Sequence, residues 1–552
     1  MVKRTNILLL LLCCIALLGN RCAGGKGSGG SAPRVLIEEP AECAAVPGAF
    51  PAGFAWLPGS DGLAAVVADE PSAVLFFDMN GTEPKRLERD EIIAVPTDSD
   101  GDGENDDDVK LCGADLRDEF VSMGKALGVT ESVAFVAGSG YEQIMFFQTP
   151  DGSMLELDVE NPADTASGSY HGQDYPYLPA INAPRTAVST KACIYLTDDT
   201  AVADATSLGS PVGQHPCCDR VVDVPSFVTT ITAGLVIADG HMFVATANLD
   251  RPNGFRGSYF PGTVLVYDVD FDAYGEPTSV RPNTETPVIY STGFNPTGLA
   301  HYRTPRGRDL VLVTNSGALR LGVGASNILT DSYIDVIDAA SRRLVATIPM
   351  GRAGLNFEAV AVDPAERVGL IGSWTLPVLY GIDLRPMDNE DLYEQDEVIF
   401  LDGSDPVFPD ARIFEADTPF EIPDREGGPH PISCNGQTYA AINQAGEKAY
   451  VIEQCDGTLN EIDLLPAVEP CVGGEPEGIC CDEIPLRQSC FSLGRIRNVT
   501  APFNEPIEMH GASQITVRPG EPQIDYTGPD VFFLVGLPDG LVCSEAIDST
   551  PF

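Results

Sequence analysis

The chain has 552 residues, of which 43% are hydrophobic and 21% charged, a globular composition that excludes wholesale disorder. It carries 33 Lys and Arg against 81 Asp and Glu, so its formal net charge is −48. Because phosphate binding needs surface Lys and Arg, this charge excludes a general nucleic-acid-binding surface and argues against docking on anionic lipid.

The N-terminus has the form of an export signal. Residues 1–21 contain two early basic residues and an apolar run at 7–18 that is too short to span a bilayer comfortably. Cys22 follows and begins a Gly/Ser-rich flexible tether, residues 22–33. A cysteine at this place resembles a bacterial lipoprotein signal. We therefore expect residues 1–21 to be a signal peptide and Cys22 to carry a lipid, with ordinary secretion and nearby cleavage as the alternative.

The predicted location follows from this signal. We expect an exported protein, in the periplasm or at the cell surface, that is anchored by lipid to the bacterial outer membrane. No later stretch approaches the ~20 apolar residues of a membrane helix, so contact with the membrane is predicted only through the N-terminal lipid.

A strand that ends in aspartate recurs through residues 34–552. Each copy follows another strand across a turn, and the copies end at Asp78, Asp158, Asp268, Asp338, Asp383 and Asp463. A seventh pair of strands is predicted at 531–535 and 541–544. These segments are rich in β-branched and aromatic residues and are bounded by Gly, Pro, Asp and Asn.

Repeated meanders need neighbours to cover their faces, and a ring provides them while leaving only short edges. We predict that residues 34–552 form one all-β domain, a seven-bladed β-propeller with long disulfide-bonded loop insertions at about 79–130, 159–220 and 385–435. Helical periodicity is scarce, and residues 115–127 are the best helix candidate. Independent β-sandwiches are the alternative fold.

The two ends of the chain are predicted to meet. Residues 34–38 form an isolated strand pattern, and the last unit lacks a strand at its end. The N-terminal strand is expected to complete the last blade, which would bring Cys43 close to Cys543.

A family resemblance is concentrated in the fourth and fifth units. Phe294-Asn-Pro-Thr-Gly-Leu-Ala300 is followed by Leu312-Val-Thr-Asn315 and by a segment, 334–351, that ends in Val-Ala-Thr-Ile-Pro-Met-Gly. This stretch resembles the YVTN repeat family, which is related to lactonase-like and surface-layer propellers. The resemblance implies strand and turn residues with structural roles, and it implies no catalytic residue.

An acidic segment in the first insertion is a candidate calcium loop. Asp at its first, third and fifth positions with Gly at the sixth resembles the start of an EF-hand loop, although Val109 stands where the full loop has Glu. The predicted ligands are Asp98, Asp100, Asp102, Glu104, Asp106 and Asp108. The alternative is a solvated acidic linker. If calcium binds, its expected role is to order the insertion.

Of the 15 cysteines, Cys13 and Cys14 lie in the predicted signal and Cys22 is the predicted lipid site. The other twelve are an even number, which in an exported chain predicts disulfides rather than a metal site. The expected groupings are Cys193 with Cys217 or Cys218, Cys434 with Cys455, Cys43 with Cys543, and Cys471 and Cys490 with Cys480 and Cys481, while Cys112 has no assigned partner.

Two functional classes remain open. The first is a non-catalytic binding scaffold, expected to be a monomer whose insertions meet a protein or glycan at the cell surface. The second is a lactonase-like hydrolase or quinoprotein-like oxidoreductase in the axial channel, toward which His241, His301, Glu358, Asn295 and His510 could point. No nucleophile elbow or His-Glu-x-x-His motif is present, so the scaffold is favoured.

Overall fold

A computed structural model of the protein describes residues 42–45, 50–59, 63–69, 73–78, 85–86, 93–94, 110–111, 114–115, 125–138, 143–148, 155–159, 168–170, 173–175, 187–190, 229–249, 261–319, 328–363, 368–374, 379–395, 397–400, 412–414, 422–423, 429–430, 438–443, 446, 448–453, 458–466, 491–498, 512–517, 531–536 and 541–547. Everything stated below about structure concerns these residues.

The described chain is almost entirely β-structure, as the sequence predicts. Its helical residues are a 3-10 turn at Arg385–Asp388 and one α-helical turn at Asp391–Glu394. The strands, numbered in chain order, are β1 Glu42–Ala45, β2 Phe50–Trp56, β3 Leu63–Asp69, β4 Ala73–Asp78, β5 Lys85–Arg86, β6 Ile93–Ala94, β7 Lys110–Leu111, β8 Ala114–Asp115, β9 Ala126–Gly128, β10 Val133–Gly138, β11 Gln143–Gln148, β12 Asp158–Val159, β13 Gly168–Tyr170, β14 Gln173–Tyr175, β15 Ala187–Ser189, β16 Thr229–Ala238, β17 His241–Leu249, β18 Pro261–Phe271, β19 Pro277–Pro282, β20 Val288–Phe294, β21 Pro296–Arg303, β22 Asp309–Asn315, β23 Ser332–Asp338, β24 Arg343–Gly351, β25 Ala361–Val362, β26 Val368–Gly372, β27 Leu379–Asp383, β28 Ile399–Phe400, β29 Arg412–Phe414, β30 Ile422–Pro423, β31 Pro429–His430, β32 Thr438–Ile442, β33 Lys448–Glu453, β34 Thr458–Pro466, β35 Phe491–Asn498, β36 Ala512–Val517, β37 Val531–Gly536 and β38 Leu541–Ile547.

Seven of the described sheets have four or more strands, and we number them along the chain by their first strands. They are sheet 1 (β2-β3-β4, with β5 and β6 on β4), sheet 2 (β9-β10-β11-β15), sheet 3 (β16-β17-β18, with β19 and β20 on β18), sheet 4 (β21-β22-β23-β24), sheet 5 (β25-β26-β27-β29), sheet 6 (β32-β33-β34-β35) and sheet 7 (β36-β37-β38-β1). These pairings are antiparallel. The pairs β7-β8, β13-β14 and β30-β31 form separate small hairpins.

The first strands of the seven sheets contact one another in a cycle. β2 contacts β9, β9 contacts β16, and the series continues through β21, β25, β32 and β36, which contacts β2 again. Each sheet is open, so the cycle is made of separate sheets whose first strands line its inner side.

A segment near the N-terminus completes the last sheet. The expected closing strand, 34–38, lies outside the described residues, so it stays a prediction. Among the described residues, Glu42–Ala45 (β1) pairs antiparallel with β38 and is the outermost strand of sheet 7. The next strand, β2, is the innermost strand of sheet 1, so the chain passes from one sheet to the other at this seam.

The outer strand of the second repeat unit is a different segment from the one predicted. The segment expected to end at Asp158 is not a strand of sheet 2. The Leu155 N–H does bond to the Phe146 carbonyl of β11 at 2.9 Å, but residues 155–157 are not in a strand, and Asp158–Val159 (β12) pairs in parallel with β19 of sheet 3. The outer strand of sheet 2 is instead β15, from beyond the start of the next predicted insertion. The helix predicted over 115–127 is also wrong at its end, since Ala126–Gly128 (β9) is the first strand of sheet 2.

The predicted insertions contain strands of the main sheets. β5 and β6 come from 79–130, β15 from 159–220 and β29 from 385–435, and each is the outer strand of its own sheet. Two short strands also reach a neighbouring sheet: β12, at the border of the 159–220 insertion, pairs with β19 of sheet 3, and β28, within the 385–435 insertion, pairs in parallel with β24 of sheet 4. These additions cover outer edges that would otherwise expose unpaired backbone groups.

The core lies between the faces of consecutive sheets. Successive side chains of a strand point to opposite faces. In β17, Met242 packs in a cluster shared with sheet 2, whereas Phe243 packs in one shared with sheet 4. In β22, Val311 faces sheet 3 and Leu312 faces sheet 5. All four are fully buried, so sheets 3 and 4 are apolar on both faces and each needs a neighbour on either side.

Candidate functional site

An ion pair crosses the inner side of the cycle. Lys125, immediately before β9 of sheet 2, bonds through Nζ to Oε1 of Glu358, which lies just before β25 of sheet 5. Sheets 3 and 4 stand between these two sheets in the cycle, so the pair joins first strands that are not neighbours. Each side chain is 21% exposed. The sequence indicated Glu358 as an axial residue, whereas Lys125 lay in a segment predicted to be helical.

Glycines allow the first strands to approach backbone to backbone. A Cβ added to Gly128 would lie 1.8 Å from the carbonyl oxygen of Trp56, and one added to Gly298 would lie 2.1 Å from that of Glu358. A Cβ on Gly234 would similarly meet the carbonyl oxygen of Thr297 at 2.6 Å. The Gly298 contact places the backbone that carries Glu358 directly against sheet 4.

Buried hydroxyl and amide groups connect sheets 4 and 5 beside the ion pair. The Thr297 and Ser316 hydroxyl oxygens are 3.0 Å apart, and the Ser316 hydroxyl also lies within bonding distance of the Asn356 carbonyl, at 3.1 Å. The Asn356 side-chain oxygen accepts the backbone N–H of Glu358 at 3.1 Å. The last of these hydrogen bonds fixes the backbone at Glu358, so the network positions this glutamate.

Asn295 has a structural role in this region. It adopts a left-handed conformation with φ 56°, which Asn tolerates better than most residues, and it is buried. Its carbonyl oxygen accepts the Ser316 N–H at 3.1 Å. Its side chain was expected to point toward the axial channel. The role that these observations support is instead the turn that Asn295 forms at the start of β21.

An aromatic pair lies at the same end of sheet 5. The rings of Phe357 and Trp374 have centroids 4.4 Å apart, and Leu319 and Ile328 from the connection between β22 and β23 pack with them. Trp374 is 9% exposed, so its ring serves packing and does not form an open face for a ligand.

His241 is engaged through both ring nitrogens. Its Nδ1 is 2.9 Å from Asp268 Oδ1, and its Nε2 is 3.2 Å from Arg342 Nη1. Because a guanidinium only donates, Nε2 must accept and Nδ1 must carry the proton donated to Asp268, which is the neutral ring. Arg342, on the turn between β23 and β24, also donates to Glu285 at 2.5 Å. The cluster therefore clamps sheet 4 to sheet 3.

The other histidines give no proton-transfer set in the described part of the chain. His301 Nε2 lies 2.8 Å from Asp309 on the adjacent strand, with 39% of the side chain exposed. His430 is in β31, and His171, His215 and His510 lie outside the described residues.

A buried carboxylate lies inside sheet 4. Asp335 accepts the backbone N–H of Thr292 at 2.8 Å, the Asn315 side-chain N–H at 2.9 Å and the Thr347 hydroxyl at 2.7 Å. Burial raises the pKa of Asp335, and these hydrogen bonds offset part of that rise. Thr292 belongs to sheet 3, so Asp335 also links two sheets. Asn315, the last residue of the YVTN-like strand, has the structural role that the resemblance implies.

Most of the predicted metal, lipid and disulfide residues lie outside the described residues. They are Cys22, Asp98, Asp100, Asp102, Glu104, Asp106, Asp108, Cys112, Cys193, Cys217, Cys218, Cys434, Cys455, Cys471, Cys480, Cys481 and Cys490. Cys43 and Cys543 are described, and they occupy directly opposite register positions in β1 and β38. Elsewhere in the described segments, no group of three or more His, Cys, Asp or Glu could hold a metal ion, and no helix is long and apolar enough to cross a membrane.

Comparisons with known proteins find remote structural likenesses. No family model matches the sequence, and no curated protein matches it. Solved structures similar to this chain include a candidate 6-phosphogluconolactonase of Bacteroides fragilis, with 9% identity, 75% of this chain and 80% of that chain covered, and a TM-score of 0.38. Saccharomyces cerevisiae Sqt1 has 8% identity, coverage of 92% and 98%, and a TM-score of 0.38. Kuenenia stuttgartiensis hydrazine synthase has 12% identity, coverage of 76% and 77%, and a TM-score of 0.36. Likeness at this level identifies neither a family nor an activity.

Proposed function

We propose that the chain is a seven-bladed β-propeller that acts as a non-catalytic binding scaffold on the bacterial cell envelope, tethered through a lipid on Cys22. The cyclic contacts of the seven first strands support the propeller, with each numbered sheet as one blade. The insertions of 79–130, 159–220 and 385–435 then extend from a rigid frame, which is where recognition loops are usually carried. Calcium bound by the 98–108 loop would order the first of them.

The proposed partner is a protein or glycan of the cell surface, bound by a monomer. A charge of −48 disfavours polyanionic partners such as nucleic acids. The insertions are the longest departures from the repeating unit, so they carry the features that distinguish this chain from a bare propeller.

The ion pair between Lys125 and Glu358 is the observation that carries the non-catalytic part of the proposal. A channel hydrolase needs an acid, base or nucleophile that can approach substrate. Here the two axial charges bond to each other, and Glu358 is further fixed through Gly298 and Asn356. This arrangement favours a role in holding blades 2 and 5 together.

Lactone hydrolysis tests this part directly. The wild-type protein is expected to release acid from γ- and δ-lactones in a pH-stat no faster than the Glu358→Gln variant, because the carboxylate serves the ring and not a reaction. Glu285→Gln makes the same chemical change at the Arg342 clamp and is the matched control. A wild-type rate that Glu358→Gln abolishes and Glu285→Gln keeps, with the circular dichroism of all three proteins alike, would overturn the proposal.

The tether predicts a change of cell fraction. Cys22→Ala is expected to move the protein from the membrane fraction to the soluble exported fraction, because the ring itself has no predicted membrane contact. Cys14→Ala removes a thiol from the predicted signal and should leave the distribution unchanged. Recovery of wild-type protein with an unmodified N-terminal residue, determined by intact mass, would exclude the lipid.

A further inference from the structure

The seam between blades 7 and 1 differs from the other junctions of the ring. At the six other junctions, the chain itself runs from one blade into the next. At the seam, continuity depends on β1, which belongs to blade 7 by pairing and leads directly into β2 of blade 1. β1 has four register pairs with β38, so a four-residue strand carries the outer half of the closure. The inner half is the contact of β2 with β36.

This short strand carries one cysteine of a pair that faces across the two strands. In the register of β1 and β38, Glu42 is opposite Ser544 and Cys43 is opposite Cys543. Directly opposite residues of antiparallel strands have Cα atoms about 4.5 or 5.5 Å apart, depending on the type of pair. Both separations fall within the range of about 4.4–6.8 Å that a disulfide spans. A shift of one residue in register would remove this correspondence.

We propose that Cys43 and Cys543 form a disulfide that makes the ring covalently continuous and transmits load from the N-terminal tether to the last blade. The bond would give the seam the continuity that the chain supplies at the other six junctions. A pull on the lipid at Cys22 reaches β1 before any other described strand. With the bond, that pull is shared by β38 and does not peel β1 away from it. The proposed transmission of force depends on the proposed tether, whereas the disulfide itself does not.

The chemistry is a thiol–disulfide exchange. The thiolate of one cysteine attacks the disulfide of an oxidised exported protein and forms a mixed disulfide with it. The thiolate of the second cysteine then attacks this mixed disulfide and displaces the thiol of the oxidant. The S–S bond of this chain forms while that of the oxidant breaks. The oxidant takes up the two electrons and two protons and leaves as a dithiol. Such exchange operates in the compartments to which the signal would send this chain.

Peptide mapping tests the bond. Exported wild-type protein is alkylated, digested without reductant and examined by mass spectrometry, and the peptide containing Cys43 is expected to be joined to the one containing Cys543. Recovery of either cysteine alkylated, or joined to a different cysteine, would refute the inference. The same map on the Cys22→Ala protein separates the two proposals, because loss of the lipid leaves the predicted bond in place.

Unfolding kinetics test its role. The double variant Cys43→Ser/Cys543→Ser is expected to unfold in denaturant roughly tenfold faster or more than wild type, because the seam then opens without breaking a covalent bond. Ala44→Ser places a hydroxyl on the same strand and is the matched control. Equal rates for the double variant and wild type would remove the latch role. If the double variant does not accumulate, the wild-type map still decides whether the bond exists.

Discussion

Replacing Gly298 with alanine is expected to destabilise the protein by about 3 kcal/mol or more, one of the largest effects of any single methyl group here. The new Cβ would lie 2.1 Å from the carbonyl oxygen and 2.2 Å from the carbonyl carbon of Glu358. Backbone atoms cannot rotate away as a side chain can, so sheets 4 and 5 must separate. Denaturant unfolding of the variant should show a markedly lower midpoint at an unchanged slope.

Gly240→Ala is the matched control for that result. Gly240 has φ +75°, so alanine is strained there, yet nothing lies within 4 Å of the added Cβ. Its cost is expected to be about 1 kcal/mol, from backbone conformation alone. If Gly298→Ala costs no more than Gly240→Ala, the blades do not approach at Gly298 as described.

Asp335→Ala is expected to cost about 3 kcal/mol or more, whereas Asp335→Asn should remain close to wild type at neutral pH. Alanine leaves three buried donors without their acceptor: the Thr292 N–H, the Asn315 amide and the Thr347 hydroxyl. Asparagine keeps an oxygen for the first two. Its amide can donate to Thr347, whose hydroxyl oxygen lies 2.9 Å from that of Thr292 and can donate there instead. Equilibrium unfolding of the two variants measures the difference.

The same residue predicts a pH dependence. Burial raises the pKa of Asp335 above its usual value of 3.8. Between 3.8 and the raised folded-state pKa, the folded protein holds a proton that the unfolded chain has released. Stability from this group therefore increases as pH falls through that window. The unfolding free energy of wild type minus that of Asp335→Asn should rise from pH 7 toward pH 4. A constant or falling difference would show that Asp335 takes up no proton on folding.

The sequence located the second and third strands of most sheets because their pattern is local. Apolar segments ending in Asp268, Asp338 and Asp383 are strands, and each follows its predicted partner. The pattern misled at Asp158 because Leu-Glu-Leu-Asp has the same local signature, yet only Asp158 and the next residue are in a strand, and that strand pairs with sheet 3. Pairing in parallel with a strand more than a hundred residues away leaves no trace in a short window.

The sequence did not predict the first strand of sheet 2, for a different reason. The segment 126–128 is short and contains Ala and Gly, which are depleted in β-strands. Gly128 is there because the backbone of blade 1 occupies the space of a side chain, a constraint set by the ring. For the same reason the partner of Glu358 could not be read from the sequence. Lys125 is more than two hundred residues away and meets it only when blades 2 and 5 face each other.

The position of β1 has a consequence for the order of folding. Residues 42–45 are synthesised before every other described strand, yet their partner, residues 541–547, comes last. During synthesis the blades can form in sequence, because consecutive strands pair locally, while the first strand waits for almost the entire chain to emerge. In the proposed ring, completion is then expected to be the slowest assembly step, since the contact with the greatest separation along the chain bears the largest entropic cost of loop closure. A chain stalled before its final blade would display an unpaired leading strand and a bare inner edge to whatever chaperones accompany it.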